Sequence, residues 1–188
     1  MKWVALTFVA CSAPVTPDPV QPAPAPLLTM SDAAFGPLQP TSPATLVALR
    51  AAFAGYDVRP VHHDGLEYQV FDRDQRLFTV VPAGDGTIFN VDVASPEVAV
   101  AGRGWKVGAK LVDWRALSAC ACWGGKPVCY RVGDHVALGF DRGCRGLTRS
   151  LRGLEGLSIT RAIWKPRPFG SPMRAMGGAE YGGSPETD

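Results

Sequence analysis

The sequence opens without an apolar run long enough to cross a bilayer. The stretch from Trp3 to Ala10 falls far short of the roughly 20 residues a spanning helix needs. Also missing are G-x-S-x-G, a P-loop, the Rossmann glycine pattern, H-E-x-x-H and any C-x-x-C pair. Without them there is no specific reason to propose a nucleophile elbow, a nucleotide cradle, a zinc protease or a thioredoxin-like centre. The expectation is a protein that is not an enzyme and carries no cofactor. There is little net charge, +2, which disfavours a histone-like basic protein and an acidic tail protein. A hydrophobic fraction of 46% argues against disorder throughout, and 188 residues are too few for a large multidomain enzyme.

What the chain has in excess is glycine and proline, 21 and 17 residues, concentrated at the two ends. Lys2 followed by the short apolar run and then Phe8-Val9-Ala10-Cys11 describes an export signal over residues 1–10. Those last four residues resemble a bacterial lipobox, in which the final Cys takes a diacylglyceryl group, although Phe8 stands where Leu is usual. Cys11 is therefore the candidate lipidation site. Residues 11–29 follow as a tether, because Pro14, Pro17, Pro19, Pro22, Pro24 and Pro26 favour extended polyproline conformations. A lipid anchor supplies about 0.8 kcal/mol per buried CH2, so the membrane is an expected partner without any spanning helix. Ser12 after the anchor, in place of the Asp that retains many lipoproteins in the inner membrane, favours the outer membrane.

The other cysteines, Cys120, Cys122, Cys129 and Cys144, form an even set within 25 residues. In an exported chain they read as two disulfides with three connectivities. A hairpin centred on Gly124-Gly125 puts Cys122 opposite Cys129 and leaves Cys120 for Cys144; Cys120 with Cys129 needs only a shifted turn. A zinc site fits less well, since structural zinc brings its ligands as two spaced pairs. No metal site is expected.

The body, residues 30–165, reads as an α+β domain: an antiparallel sheet with helices packed on one face. Ser42-Pro43 caps and starts a helix over 43–53, with Leu46, Leu49 and Phe53 on one side. Alternation then predicts strands at 66–70 and 89–93, and the apolar run Leu77–Val81 predicts a third between them. A weaker helical pattern with Leu111, Trp114 and Leu117 precedes strands at about 118–123, 127–132, 135–140 and 157–164. Two α-β-β-β units, 30–96 and 97–165, are the economical reading, against one irregular domain without duplication. Residues 166–188 are expected to form a disordered tail.

Residues Met30 to Leu38, Thr41 to Pro43 and Phe53 to Val58, with Val93-Ala94-Ser95-Pro96 and Gly104 to Gly108, resemble a proteobacterial envelope lipoprotein family of unknown function. That family is regulated by the envelope-stress sigma factor. The resemblance covers roughly residues 30–140. More distantly, the plan is similar to the β-lactamase-inhibitor-protein fold. Both resemblances imply location and fold, and neither transfers a catalytic residue.

The charge is unevenly placed. Residues 30–102 hold 4 Lys/Arg and 9 Asp/Glu, a balance of −5, whereas 103–174 hold 14 and 4, a balance of +10. Within the basic half, Arg142, Arg145, Arg149 and Arg152 form a candidate anion- or partner-binding loop, suited to an anionic lipid or an acidic protein surface. Nucleic acid is disfavoured by export. His62-His63-Asp64 is expected in an exposed connection, since adjacent residues on extended chain point oppositely and cannot share one metal. His135 beside Asp134 is expected at a sheet edge. The leading functional expectation is a non-enzymatic envelope lipoprotein that binds a partner or ligand at the periplasmic face of the outer membrane. The alternatives are a hydrolase inhibitor that inserts the basic loop and, less favoured, a small envelope hydrolase using a His and an acidic residue.

Overall fold

A computed structural model describes residues 28–144 and 151–171. The signal, Cys11, the tether up to residue 27, Arg145, Arg149 and the tail from residue 172 lie outside the described residues. The described elements are β1 (Thr29–Met30), α1 (Leu46–Ala52), β2 (Asp57–His62), β3 (Leu66–Asp72), β4 (Gln75–Pro82), β5 (Ile88–Val93), β6 (Ala99–Val100), β7 (Ala119–Trp123), β8 (Lys126–Tyr130), β9 (Val136–Phe140) and β10 (Ile159–Trp164). Strands β2 to β5 form one antiparallel meander and β7 to β10 another. Their last strands, β5 and β10, pair, which makes a single eight-stranded antiparallel sheet in the order β2-β3-β4-β5-β10-β9-β8-β7. Strands β1 and β6 form a separate parallel pair.

This sheet overturns the α+β expectation of helices packed on one face in tandem α-β-β-β units. Among the described residues α1 is the only α-helix, and each half supplies four strands to the large sheet. The pattern of Leu111, Trp114 and Leu117 gives one 3-10 turn, Trp114–Ala116. The reason is where the backbone hydrogen bonds go. Leu111 N–H donates to the Leu157 carbonyl, while Gly156 and Ile159 N–H donate to the carbonyls of Leu111 and Ala109. Those groups are committed to a neighbouring segment and cannot close helical turns. The first helix is also shorter than its apolar face suggests. Ala44 N–H bonds the Gly86 carbonyl and Pro43 bridges to Thr87, so the cap falls to Thr45, whose hydroxyl accepts from Ala48 N–H at 3.3 Å.

Strand β2 was not visible as a strand because four of its six residues are exposed and it contains Pro60. It is an edge strand, where a proline leaves no ladder donor missing. His62 closes it in register with Leu66, and His63 and Asp64 lie exposed in the turn beyond.

The front face of the sheet carries the core. Phe78, Val80, Val91, Val93, Ala162, Trp164, Val136, Leu138 and Phe140 are all buried there. Residues 28–38, α1 and the segments around Val98–Leu117 and Leu151–Leu157 contribute to the same cluster. Phe35 and Phe53 meet Phe78 edge to face at centroid distances of 4.7 and 5.0 Å. Each such pair contributes about 0.5–1.5 kcal/mol beyond the area it buries.

The disulfides are Cys120–Cys129 and Cys122–Cys144, which corrects the preferred pairing of Cys122 with Cys129. The hairpin centres where expected, on Gly124-Gly125, but equal steps back from that centre pair residue 120 with 129, so the Cys120–Cys129 bridge needs no shifted turn. Gly124 and Gly125 both take positive φ, 56° and 76°, as the central pair of a two-residue hairpin loop between Trp123 and Lys126. From that loop the register fixes Cys122 opposite Pro127 and Cys120 opposite Cys129.

Candidate functional site

Strand alternation sends a second set of side chains to the back face. Glu67, Arg76, Thr79, Val81, Asp92, Ala94, Thr160 and Arg161 line a concavity there of about 340 Å³. Register sets their spacing: Thr79 on β4 pairs with Asp92 on β5, which pairs with Ile163 on β10. Arg161 donates from its guanidinium to Asp92 Oδ2 at 3.1 Å.

Gly139 on β9 makes room for this. A Cβ there would stand 2.5 Å from Arg161 Cγ and 2.8 Å from its Nε, so the arginine stem lies across a strand bare of side chain. Burial pushes the Asp92 carboxyl above the usual carboxylate range, against the opposing pull of Arg161 and Arg76. The groove thus offers two guanidinium groups, two carboxylates and two hydroxyls at positions fixed by the ladder. Such an arrangement suits a polar partner carrying both signs of charge.

The other half of the back face is closed. Val128, Ala137 and Ile163 are buried beneath Phe169, which stacks on Tyr130 at 4.9 Å. Backbone bonds secure this cover, from Gly133 N–H to the Phe169 carbonyl and from Phe169 N–H to that of Asp134. The packed chain therefore continues past residue 165 to at least Phe169, within the stretch expected as tail.

The residues singled out by sequence do not converge on this groove. Arg142 donates to the Gly153 carbonyl at 2.7 Å, and the Arg152 guanidinium lies 5.8 Å over the Trp114 ring. Both engage groups within the chain beside the 151–154 turn, while Arg145 and Arg149 lie outside the described residues. His135 is not at an edge: it leads into β9, which is flanked by β10 and β8, and its Nδ1 lies 2.6 Å from the Lys165 carbonyl. Part of the basic excess is spent against the acidic half. Arg103 pairs with Asp32 at 3.0 Å as well as with Asp134, and Arg161 pairs with Asp92 across the seam of the two meanders.

Sequence reading missed the groove, although its signal was present: Asp92 is the polar member of an alternating strand, and Thr79 interrupts the apolar run Leu77–Val81. Among the described residues no three His, Cys, Asp or Glu side chains are grouped to hold a metal, and no helix is long and apolar enough to cross a membrane.

The architecture is thus that of an eight-stranded antiparallel sheet with one face buried and the other half open. No family model matches the chain, and no curated protein matches it. Among solved structures it is similar to the crystal structure of the uncharacterized protein yfeY from Escherichia coli, with a TM-score of 0.55 and 22% identity, over 73% of this chain and 98% of that one. The likeness shows a shared fold, and an uncharacterized bacterial neighbour is in keeping with the resemblance drawn from sequence.

Proposed function

We propose that this chain is an exported, lipid-anchored envelope protein that acts by binding, and that the open groove on the back of its sheet meets an envelope protein partner. The groove carries the reading: Glu67, Arg76, Asp92 and Arg161 line an open concavity on the strands, whereas the part of that face around Val128, Ala137 and Ile163 is covered by the chain itself. Export is supported by two disulfides of the kind that persist in oxidising compartments. The lipobox-like Cys11, the proline tether and the resemblance to envelope lipoproteins support the anchor. The alternative, a hydrolase inhibitor, draws on the distant fold likeness and the basic loop, of whose four arginines Arg142 and Arg152 engage groups within this chain.

Two measurements test the proposal. Cells fed radioactive palmitate should label the wild-type chain and not Cys11→Ala; absent label on wild type, or equal label on the variant, overturns the anchor. A photoreactive side chain at Thr79 should give a discrete cross-linked adduct in living cells, and Glu67→Lys with Arg76→Glu should abolish it. An adduct that survives the reversal, or that forms equally from exposed Val112, overturns the groove as the contact.

A further inference from the structure

A separate feature lies on the covered half of the back face. The Lys165 ammonium is enclosed by three rings drawn from three parts of the chain. Its Nζ is 4.7 Å from the centroid of Phe89 on β5, 4.8 Å from Trp123 on β7 and 5.2 Å from Phe169 beyond β10. Among the described residues no carboxylate pairs with it and no acceptor takes its N–H groups. Aromatic faces attract a cation through their quadrupoles, and cages of this kind recognise alkylated ammonium groups. A lysine is an imperfect guest, because three N–H donors are left facing rings. A quaternary ammonium has no such donors.

We propose that Phe89, Trp123 and Phe169 form a binding site for a quaternary ammonium group, which Lys165 occupies in the absence of ligand and vacates when one binds.

Four observations favour a site over a purely structural contact. Phe89 is 49% exposed, so one wall of the cage opens to solvent. None of the three rings belongs to the main core cluster. The Lys165 backbone is held on both sides by His135, through Lys165 N–H to the His135 carbonyl at 2.9 Å and through His135 Nδ1 to the Lys165 carbonyl, so the side chain can leave by rotation while the strand end stays fixed. Finally, Trp164 pairs with Val91, which places Asn90 one register step on, opposite Lys165. Asn90 is 8% exposed and its Oδ1 has no hydrogen-bond partner, an acceptor available to a ligand hydroxyl. Burial also holds the Lys165 amine below the usual lysine range, which eases its departure. This inference is independent of the groove.

The test uses the full chain and two probes, choline and its neutral carbon isostere 3,3-dimethylbutan-1-ol. Lys165→Ala empties the cage and should bind choline saturably, at least tenfold more tightly than wild type, as followed by broadening of the choline methyl NMR signal. Adding Trp123→Ala should abolish that binding, and Asn90→Ala should weaken choline without affecting tetramethylammonium. A Lys165→Ala protein with both disulfides intact that fails to bind choline, or binds the neutral isostere equally well, overturns the proposal. If that variant does not fold, wild type decides. Saturating choline should speed acylation of Lys165 by an amine reagent several-fold, read by peptide mass, and the isostere should not; no acceleration overturns the site.

Discussion

Replacing Gly139 by Ala tests how the groove is built. The added Cβ would stand 2.5 Å from Arg161 Cγ and 2.8 Å from Nε, closer than real contacts allow. Gly139 does not have positive φ, so its backbone accepts alanine, and in isolation the change should stabilise the strand by about 0.5–1 kcal/mol. Overpacking against the arginine stem costs about 1–3 kcal/mol, and relief by moving Arg161 takes its guanidinium from Asp92. The net expectation is a loss of about 1–2 kcal/mol, or roughly 3–8 °C in Tm for a domain of this size.

The background decides the sign. In Arg161→Ala the obstructing stem is gone, so Gly139→Ala should be neutral or stabilising there. Thermal unfolding of the four proteins in the cycle measures the reversal. A carbon NMR titration adds a second readout: Asp92, already raised by burial, should rise further in Gly139→Ala as the opposing pull of Arg161 is lost. An acid with a raised folded pKa is stabilised by falling pH, so the variant's deficit should shrink as pH drops through that value. Equal effects of Gly139→Ala in both backgrounds would falsify the argument that Arg161 needs a bare strand beneath it.

Two further outcomes are expected. Peptide mapping without reduction should recover Cys120 joined to Cys129 and Cys122 joined to Cys144; by chain entropy, with sequence separations of 9 and 22, loss of the second should cost more, about 3.4 against 2.6 kcal/mol. The hydroxyl and N–H of Thr87 hold exposed Asp85 below the usual carboxylate range, so Thr87→Val should move its NMR midpoint upward, and an unmoved midpoint would remove Thr87 as the cause. Because the folded value is depressed, the stability this contact contributes is present above the ordinary carboxylate pKa and lost as pH falls through the lower value.

Local patterns carried the sequence reading where one short segment holds all the information. Leu49 and Phe53 were legible as a buried helical face, and the alternation of Val91 and Val93 with Asn90 and Asp92 as a strand. Four clustered cysteines in a chain with an export-like start were legible as disulfides. Where partners lie far apart in sequence, pattern misled. Leu111, Trp114 and Leu117 have helical spacing, yet the segment forms only the 3-10 turn Trp114–Ala116, because residues 156–159 take the hydrogen bonds of its leading end, Gly108 to Leu111. Arg142 and Arg152 are exposed and also engage the Gly153 carbonyl and the Trp114 ring, contacts that no local pattern contains.

By itself, the sequence determined an antiparallel sheet with one apolar face, an even cysteine set and a division of charge between the two halves, because these follow from residue type and period alone. Only the tertiary structure decided that the two meanders join at β5 and β10. That seam sets Asp92 against Arg161, with Gly139 beneath, and leaves the groove open. It also decided that Lys165 stands among rings from residues 89, 123 and 169. Such juxtapositions depend on register and strand order, which no local window of sequence contains.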